Sequence, residues 1–270
     1  MGDITLGQMY PSNSILHRLD ARFKMVFTVM FVIMLFVSAS PIAISVNVAF
    51  VGICYMLAKI PFKMLFKTLK PVIPIVAFML VFNIVFYSGE TVLLKWWIFK
   101  ITKEGLLTAM FMVFRIALIV LGTALLTYTT SSIELTDAIE SLLSPLKKLR
   151  FPVHELAMMM TIALRFIPTL IEETQKIMSA QKARGADFES GNLVKRVKAL
   201  FPIIIPLFAS AIKRAGELAT AMESRCYNNG IGRTRLKSLK SGKNDYVAAA
   251  FMTALLALVI VLRFTTDKFI

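Results

Sequence analysis

From Met25 to Ala58 the chain is apolar almost without a break, interrupted only at Ser38-Ala39-Ser40-Pro41. At 1.5 Å per residue this run is too long for a single crossing of about 30 Å of hydrocarbon. Proline disfavours helix at the residue before it and lacks a donor, so the pattern predicts two short spans joined by a tight turn. Lysines then recur at 59, 63, 67 and 70, on one face of a helix whose other face carries Phe62, Leu65, Phe66 and Leu69. That pattern predicts an interfacial helix over 59–70, too short and too charged to span. A third span is predicted from Pro71 to Ser88, ended by Gly89, and a fourth from Glu104 to Thr130. Between them Trp96 and Trp97 among lysines have the character of an aromatic belt. The last span runs from Tyr246 to Phe264.

After Thr130 charges return every few residues while apolar positions keep a helical period. Glu134 to Leu149 reads as an amphipathic helix with Leu135, Ile139, Leu142 and Leu146 on one side, Ser131 or Ser132 as its cap and a kink at Pro145. A second helix opens near Pro152 and runs to Arg184, where Gly185 supplies a stop. A third begins at Asn192, is broken or kinked early by Pro202 and Pro206, and ends at Arg225 before the turn signal Asn228-Asn229-Gly230. Both long helices thus have an apolar, proline-bearing first half and a hydrophilic tip ending in arginine. The expected fold class is an all-α integral membrane protein. Its domains are a cytoplasmic N-terminal segment (1–24), four spans with the interfacial helix (25–130), a cytoplasmic domain of three helices (131–245), and a fifth span with the C-terminus (246–270).

Composition agrees with a membrane protein: 57% of residues are hydrophobic and the mean hydropathy is +0.72. The formal charge of +15 is explained by basic loops on one side of a membrane rather than by nucleic acid, which is not an expected partner. With the N-terminus inside, Arg18, Arg22, Lys24, Lys59, Lys63, Lys67 and Lys70 are cytoplasmic, and Lys95, Lys100, Lys103, Arg263 and Lys268 lie outside. Met1 to Asp20 lacks the basic flank, apolar core and cleavage site of a secretory signal. Cys54 and Cys226 sit in unlike surroundings and imply no disulfide.

Residues that would carry chemistry are sparse. His17 and His154 stand far apart without ligand spacing, so no metal site is expected. Glu172 and Glu173 diverge by about 100° on a helix, and no nucleophile accompanies them. The chain has no phosphate-cradling glycine-rich loop, so ATP would have to be hydrolysed elsewhere. Arg115 falls near the middle of the fourth span, where a charge costs roughly 2.5–3.5 kcal/mol, and is expected to make a structural contact within the bundle. Asn47 and Asn83 are expected inter-helix hydrogen-bond partners.

Two tripeptides, Ala183-Arg184-Gly185 and Ser224-Arg225-Cys226, and the N-terminal run from Ser14 through His17, Leu19, Asp20 and Arg22 to Lys24, resemble the transmembrane T component (EcfT) of energy-coupling factor (ECF) vitamin and micronutrient transporters. The resemblance covers essentially the whole chain. It departs in two places: Ala21 stands where the family commonly has proline, and the second tripeptide ends in Cys226 rather than glycine.

The resemblance implies a non-catalytic coupling subunit of the bacterial cell membrane. Its partners would be the lipid membrane, two cytosolic ABC ATPase subunits, which bind ATP and Mg, and one substrate-binding (S) subunit. The chain itself would hold no cofactor. Ala183, Arg184, Gly185, Ser224, Arg225 and Cys226 would dock the ATPases; arginine offers a fixed charged fork and its small neighbours permit close approach. A polarizable surface of Met158, Met159, Met160, Phe166, Met178, Phe201 and Phe208 is the candidate contact for the S subunit. Two alternatives stand beside this: a permease that binds solute itself, with Arg115 and the asparagines lining its path, and an integral-membrane enzyme.

Overall fold

The computed structural model describes residues 9–38, 40–86, 92–96, 99–149, 151–188, 192–227 and 241–265. Chain contacts divide it into two compact units, Met1–Ala138 with Leu239–Ile270, and Ile139–Ser238. The predicted ends Gly89 and Lys268, Trp97 and the turn Asn228-Asn229-Gly230 lie outside the described residues.

The first unit opens with a single turn, α1 (Ile15–Arg18), followed by α2 (Ala21–Val37) and α3 (Pro41–Ala58). The turn between α2 and α3 forms for the reason the sequence suggested. Ser40 caps α3 by accepting from the Ala43 amide at 3.2 Å, and Pro41 occupies the first helical position, where its missing N–H costs nothing. Helix α4 (Phe62–Leu69) passes through a 3₁₀ turn at Lys70–Val72 into α5 (Ile73–Phe86). A two-stranded antiparallel hairpin, β1 (Val92–Trp96) and β2 (Phe99–Thr102), leads into α6 (Lys103–Thr129). This hairpin is the one departure from the expected all-α character among the described residues, and β-branched and aromatic content explains it. Helix α10 (Lys243–Thr265) completes the unit.

The 59–70 segment differs from the separate interfacial helix predicted. Thr68 bonds the Tyr128 hydroxyl at 2.6 Å, and Asn83 reaches the Met112 sulfur at 3.6 Å. Going fifteen residues forward from Thr68 to Asn83 therefore means going sixteen back in α6, so the chain from the end of α4 through α5 runs antiparallel to α6 between Tyr128 and Met112. The four apolar residues of the predicted face divide: Phe62 and Phe66 turn outward, and Leu65 and Leu69 inward. Phe62 and Phe66 are 69% and 75% exposed, whereas Met64, Leu65 and Leu69 lie against the core.

Phe31, Met34 and Leu35 of α2, Ile44, Val51 and Tyr55 of α3, Leu118 and Leu121 of α6, and Met252 and Val259 of α10 make that core. The Tyr55 hydroxyl is buried but paired, donating to the Leu121 carbonyl at 2.9 Å. A Cβ at Gly122 would overlap the ring of Phe31, so glycine there allows α2 to approach α6 closely. An apolar cavity of about 730 Å³ opens between these helices, lined by Phe27, Phe31, Phe50, Phe251 and Met252 with Lys24 at one end. Arg115, Asn47 and Asn83 do not line it.

The second unit holds the C-terminal part of α7 (Ser132–Leu143), a 3₁₀ turn Ser144–Leu149 that begins just before Pro145, and two long helices, α8 (Val153–Ala183) and α9 (Leu193–Ser224). Ser131, rather than Ser132, caps α7, accepting from Glu134 at 3.2 Å. Among the described residues, six helical segments are long and apolar enough to cross a membrane: α3, the α4–α5 run, α6, α8, α9 and α10. Helices α8 and α9 were not among the five spans expected.

Pro202 and Pro206 do not break α9. Pro206 has no N–H to offer the carbonyl four residues earlier, which is that of Pro202. Gln181 of α8 donates to this carbonyl at 3.5 Å, so the helix continues with its freed acceptor partnered from outside.

Arg115 makes the structural contact expected of it. Ser38 lies fourteen residues beyond Lys24 in α2, and Arg115 fourteen residues before Thr129 in α6, about 21 Å each from the Lys24–Thr129 hydrogen bond. The guanidinium is therefore level with the α2–α3 turn, and its Nη2 donates to the Ser38 carbonyl at 2.7 Å. Asn47 donates to the Ser38 hydroxyl at 2.8 Å, an inter-element bond, whereas Asn83 donates mainly to Met79 in its own helix at 2.9 Å. Replacing Arg115 with alanine is expected to cost about 1.5–3 kcal/mol, read as a lower melting temperature of the detergent-solubilised protein. An unchanged value would show that the turn finds another donor.

Candidate functional site

Two sets of residues singled out in the sequence acquire a defined geometry. The first is the N-terminal run. Ser14 caps α1, bonding the His17 ring at 2.7 Å and its amide at 3.3 Å, and the other ring nitrogen of His17 bonds the Tyr10 carbonyl at 3.0 Å. Asp20 caps α2 through the Arg22 amide at 2.9 Å and is gripped by the Arg22 guanidinium, with Nη2 at 2.6 Å. Burial opposes ionisation of Asp20, yet hydrogen bonds and charge from Arg22, with a contribution from Lys24, hold its carboxyl below the usual value. Leu19 is buried.

Lys24, almost wholly buried, donates to the His17 carbonyl at 3.1 Å and to the Thr129 carbonyl at 2.9 Å. The Tyr10 amide donates to the neighbouring Tyr128 carbonyl at 3.0 Å. These groups satisfy the C-terminal carbonyls of α6, where a cation also meets the negative end of the helix dipole. The run from Ser14 to Lys24 is therefore a clasp that fastens the N-terminus to the end of α6.

Asp245 completes the clasp, and sequence reading missed it. It is 3% exposed, and its carboxylate accepts from the Asp20 amide at 2.9 Å and the Gly242 amide at 2.7 Å. An acid three residues past a helix cap, reaching back to the cap amide, is half of a capping box. The sequence signal is the capping pattern Gly242-Lys243-Asn244-Asp245, which runs on without a break from the preceding basic stretch.

The second set is the pair of arginine tripeptides. At the end of α8 the Gly185 amide donates to Lys182 and the Ala186 amide to Gln181, both at 3.0 Å. At the end of α9 the Cys226 amide donates to Glu223 at 2.9 Å and the Tyr227 amide to Met222 at 3.0 Å. Both are Schellman endings with arginine as the last half-helical residue and a left-handed residue after it, Gly185 at φ 87° and Cys226 at φ 53°. The glycine missing from the second tripeptide has not changed the shape of the tip. Ala183, Arg184, Gly185, Ser224, Arg225 and Cys226 are all exposed, and neither guanidinium has a hydrogen-bond partner among the described residues.

Helices α8 and α9 pack antiparallel. Contacts at His154–Tyr227 (3.4 Å), Glu173–Arg214 (3.0 Å) and Gln181–Pro202 advance twenty-seven residues along one helix and retreat twenty-five along the other. The two tips therefore lie at opposite ends of the pair, about 45 Å apart at the helical rise. His154 also bonds Glu140 at 3.2 Å, so it is a structural bridge at the Tyr227 end. The same register separates the methionine and phenylalanine set. Phe201, Phe208 and Met178 fall toward the Arg184 end, Phe166 lies further back, and Met158, Met159 and Met160 fall near the Arg225 end. Met159, Phe201 and Phe208 are exposed at 54%, 53% and 66%; the others are half-buried.

A family model described as Cobalt transport protein (CbiQ) matches residues 12–236. The energy-coupling factor transporter transmembrane protein EcfT of Acidaminococcus fermentans is 49% identical over 261 residues, covering 97% of each chain. Proteins with the same name from Clostridium kluyveri and Bacillus subtilis are 48% and 44% identical, covering 98% and 97% of this chain and 99% of each relative. The chain belongs to this family. It is a membrane-spanning transporter component of the energy-coupling factor type, and both the clasp and the two tips fall within the matched region, apart from Tyr10, Gly242 and Asp245.

The tips differ in the strain they hold. A residue with a Cβ in the left-handed region costs roughly 1–2 kcal/mol, and a Cβ at Gly185 would meet open space, so the cost there is purely of backbone. Gly185→Ala is expected to speed amide exchange at residues 185–186 about 5- to 30-fold, and Cys226→Gly to slow it at 226–227 by several-fold, as read by hydrogen exchange with mass spectrometry. Opposite signs would mean that the endings are not the Schellman motifs described.

Proposed function

We propose that the chain is the coupling subunit of an energy-coupling factor importer in a bacterial cell membrane, passing ATP-driven movement from two cytosolic ATPases to a membrane subunit that captures a vitamin or other micronutrient. The observation that carries this reading is the pair of matching arginine tips at opposite ends of α8 and α9. Tips about 45 Å apart cannot enter one groove, so each needs its own partner. An exposed guanidinium beside small residues suits a groove lined with carboxylates. The relatives' printed name, energy-coupling factor transporter transmembrane protein, supports membership of such an assembly.

On this reading the N-terminus and the 131–245 segment are cytoplasmic, and α8 and α9 lie on the cytosolic side despite their apolar first halves. The chain is non-catalytic and holds no cofactor, with ATP and Mg bound by the ATPases. The exposed apolar residues of α8 and α9 then serve the substrate-capturing subunit. The permease alternative is weaker, because Arg115 and Asn47 converge on the Ser38 turn and, with Asn83, stand away from the cavity.

Arg184→Ala or Arg225→Ala is expected to cost roughly 2–5 kcal/mol of ATPase docking, seen as loss of co-purified ATPase and of vitamin uptake. Normal assembly and uptake in the double variant would reject the role assigned to the tips. Charge placed on the exposed surface, as in Met159→Glu or Phe208→Glu, is expected to release the substrate-capturing subunit while the ATPases stay bound. Retention of that subunit by both variants would remove this surface from the proposal.

A further inference from the structure

One charged surface is used neither by the clasp nor by the tips. The inward face of α4 is spoken for: Met64, Leu65 and Leu69 pack on the core and Thr68 holds the Tyr128 hydroxyl. Its outward face carries Lys63 and Lys67 beside Phe62 and Phe66, all exposed, with Lys59 and Lys70 exposed at its two ends. None of the four lysines makes an ion pair among the described residues, and the sequence contains no Asp or Glu from Ala21 to Gly89.

The height of this face is fixed by its partner. The Thr68–Tyr128 bond sets α4 beside the last turn of α6, level with the Lys24–Thr129 bond of the clasp. Here the helices end and the polar groups gather, whereas α5, beyond the 3₁₀ turn, exposes Ile75, Phe78, Val81 and Phe82. Cations at the border of an apolar helix surface, interleaved with aromatic rings, match a bilayer interface: rings enter the acyl boundary and ammonium groups meet phosphates.

We propose that the outward face of α4 binds the headgroups of anionic phospholipids in the leaflet where this end of the bundle lies. Lys63 and Lys67, one turn apart, and Lys70, one turn further on, form a row that pairs with phosphates, and Phe62 and Phe66 hold the row at the correct depth. Four cations with no protein carboxylate on their own or the preceding two helices favour an anionic partner, and the flanking apolar surface favours one with acyl chains. The Lys59 backbone, left-handed at φ 54°, and Pro61 before the helix set the direction in which α4 leaves α3.

The test uses the full chain reconstituted in phosphatidylcholine bilayers containing trace spin-labelled phosphatidylglycerol or spin-labelled phosphatidylcholine. The measured quantity is the fraction of each lipid whose motion the protein restricts. Wild-type protein is expected to prefer phosphatidylglycerol, and the preference to fall as salt is added. The variant with Lys63→Gln, Lys67→Gln and Lys70→Gln is expected to lose most of it, at least about fivefold. A control variant with Lys195→Gln, Lys198→Gln and Lys213→Gln removes the same charge from the second unit and is expected to keep it. An unchanged preference in the α4 variant, or an equal loss in both variants, would overturn the proposal. Helical circular dichroism of each variant identifies a misfolded sample, and a folded Lys63→Arg, Lys67→Arg, Lys70→Arg variant is expected to retain the preference.

Discussion

A helix that crosses hydrocarbon satisfies its own backbone along its length but leaves unpaired carbonyls at its C-terminus. Much of this structure depends on how those ends are closed. Lys24 and the Tyr10 amide close α6 and Arg115 pairs the carbonyl just past α2, while inside α9 Gln181 donates to the Pro202 carbonyl that Pro206 leaves free. The two Schellman tips close α8 and α9 with their own backbone, so their arginine side chains are not spent on capping.

That difference separates structural cations from functional candidates. A cation near a helix C-terminus is favourable by about 0.3–1 kcal/mol from the dipole alone, which gives any terminal arginine a plain explanation. Lys24 and Arg115 fit that explanation, because each donates to a carbonyl at a helix end. Arg184 and Arg225 meet the same dipole but donate to no carbonyl among the described residues, since backbone amides pair with Gln181 and Lys182 at one tip and with Met222 and Glu223 at the other. In an antiparallel pair the two tips are carried to opposite ends, and the length of α8 sets the distance between them.

The clasp makes a similar point about motifs. Ser14, His17, Asp20, Arg22 and Lys24 hold two short helix starts, one helix end and the beginning of α10 with a few charged and hydroxyl groups. Asp245 contributes from more than two hundred residues away. These polar groups sit at the end of the bundle, and each buried charge among them has a partner, as burial requires. Membership of the transporter family says that such a chain belongs in the membrane. The clasp accounts physically for how its N-terminal segment is fastened there.

The amino-acid sequence alone determined the helices, the Ser38–Pro41 turn, the structural role of Arg115 and the residues at both tips, because each follows from local rules: apolar runs of spanning length, proline geometry, helix stops. It narrowed the α7 cap to Ser131 or Ser132, and the structure chose Ser131. It did not determine which side of α4 faces inward, since both faces are partly apolar and only the neighbouring Tyr128 and core residues choose between them. The continuity of α9 through two prolines was likewise invisible, because the partner of the freed carbonyl lies on another helix. Asp245 joining Asp20, and the separation of the two arginine tips, were decided by tertiary structure for the same reason: sequence spacing gives position along a helix, whereas pairing between helices depends on which neighbours pack and in what register.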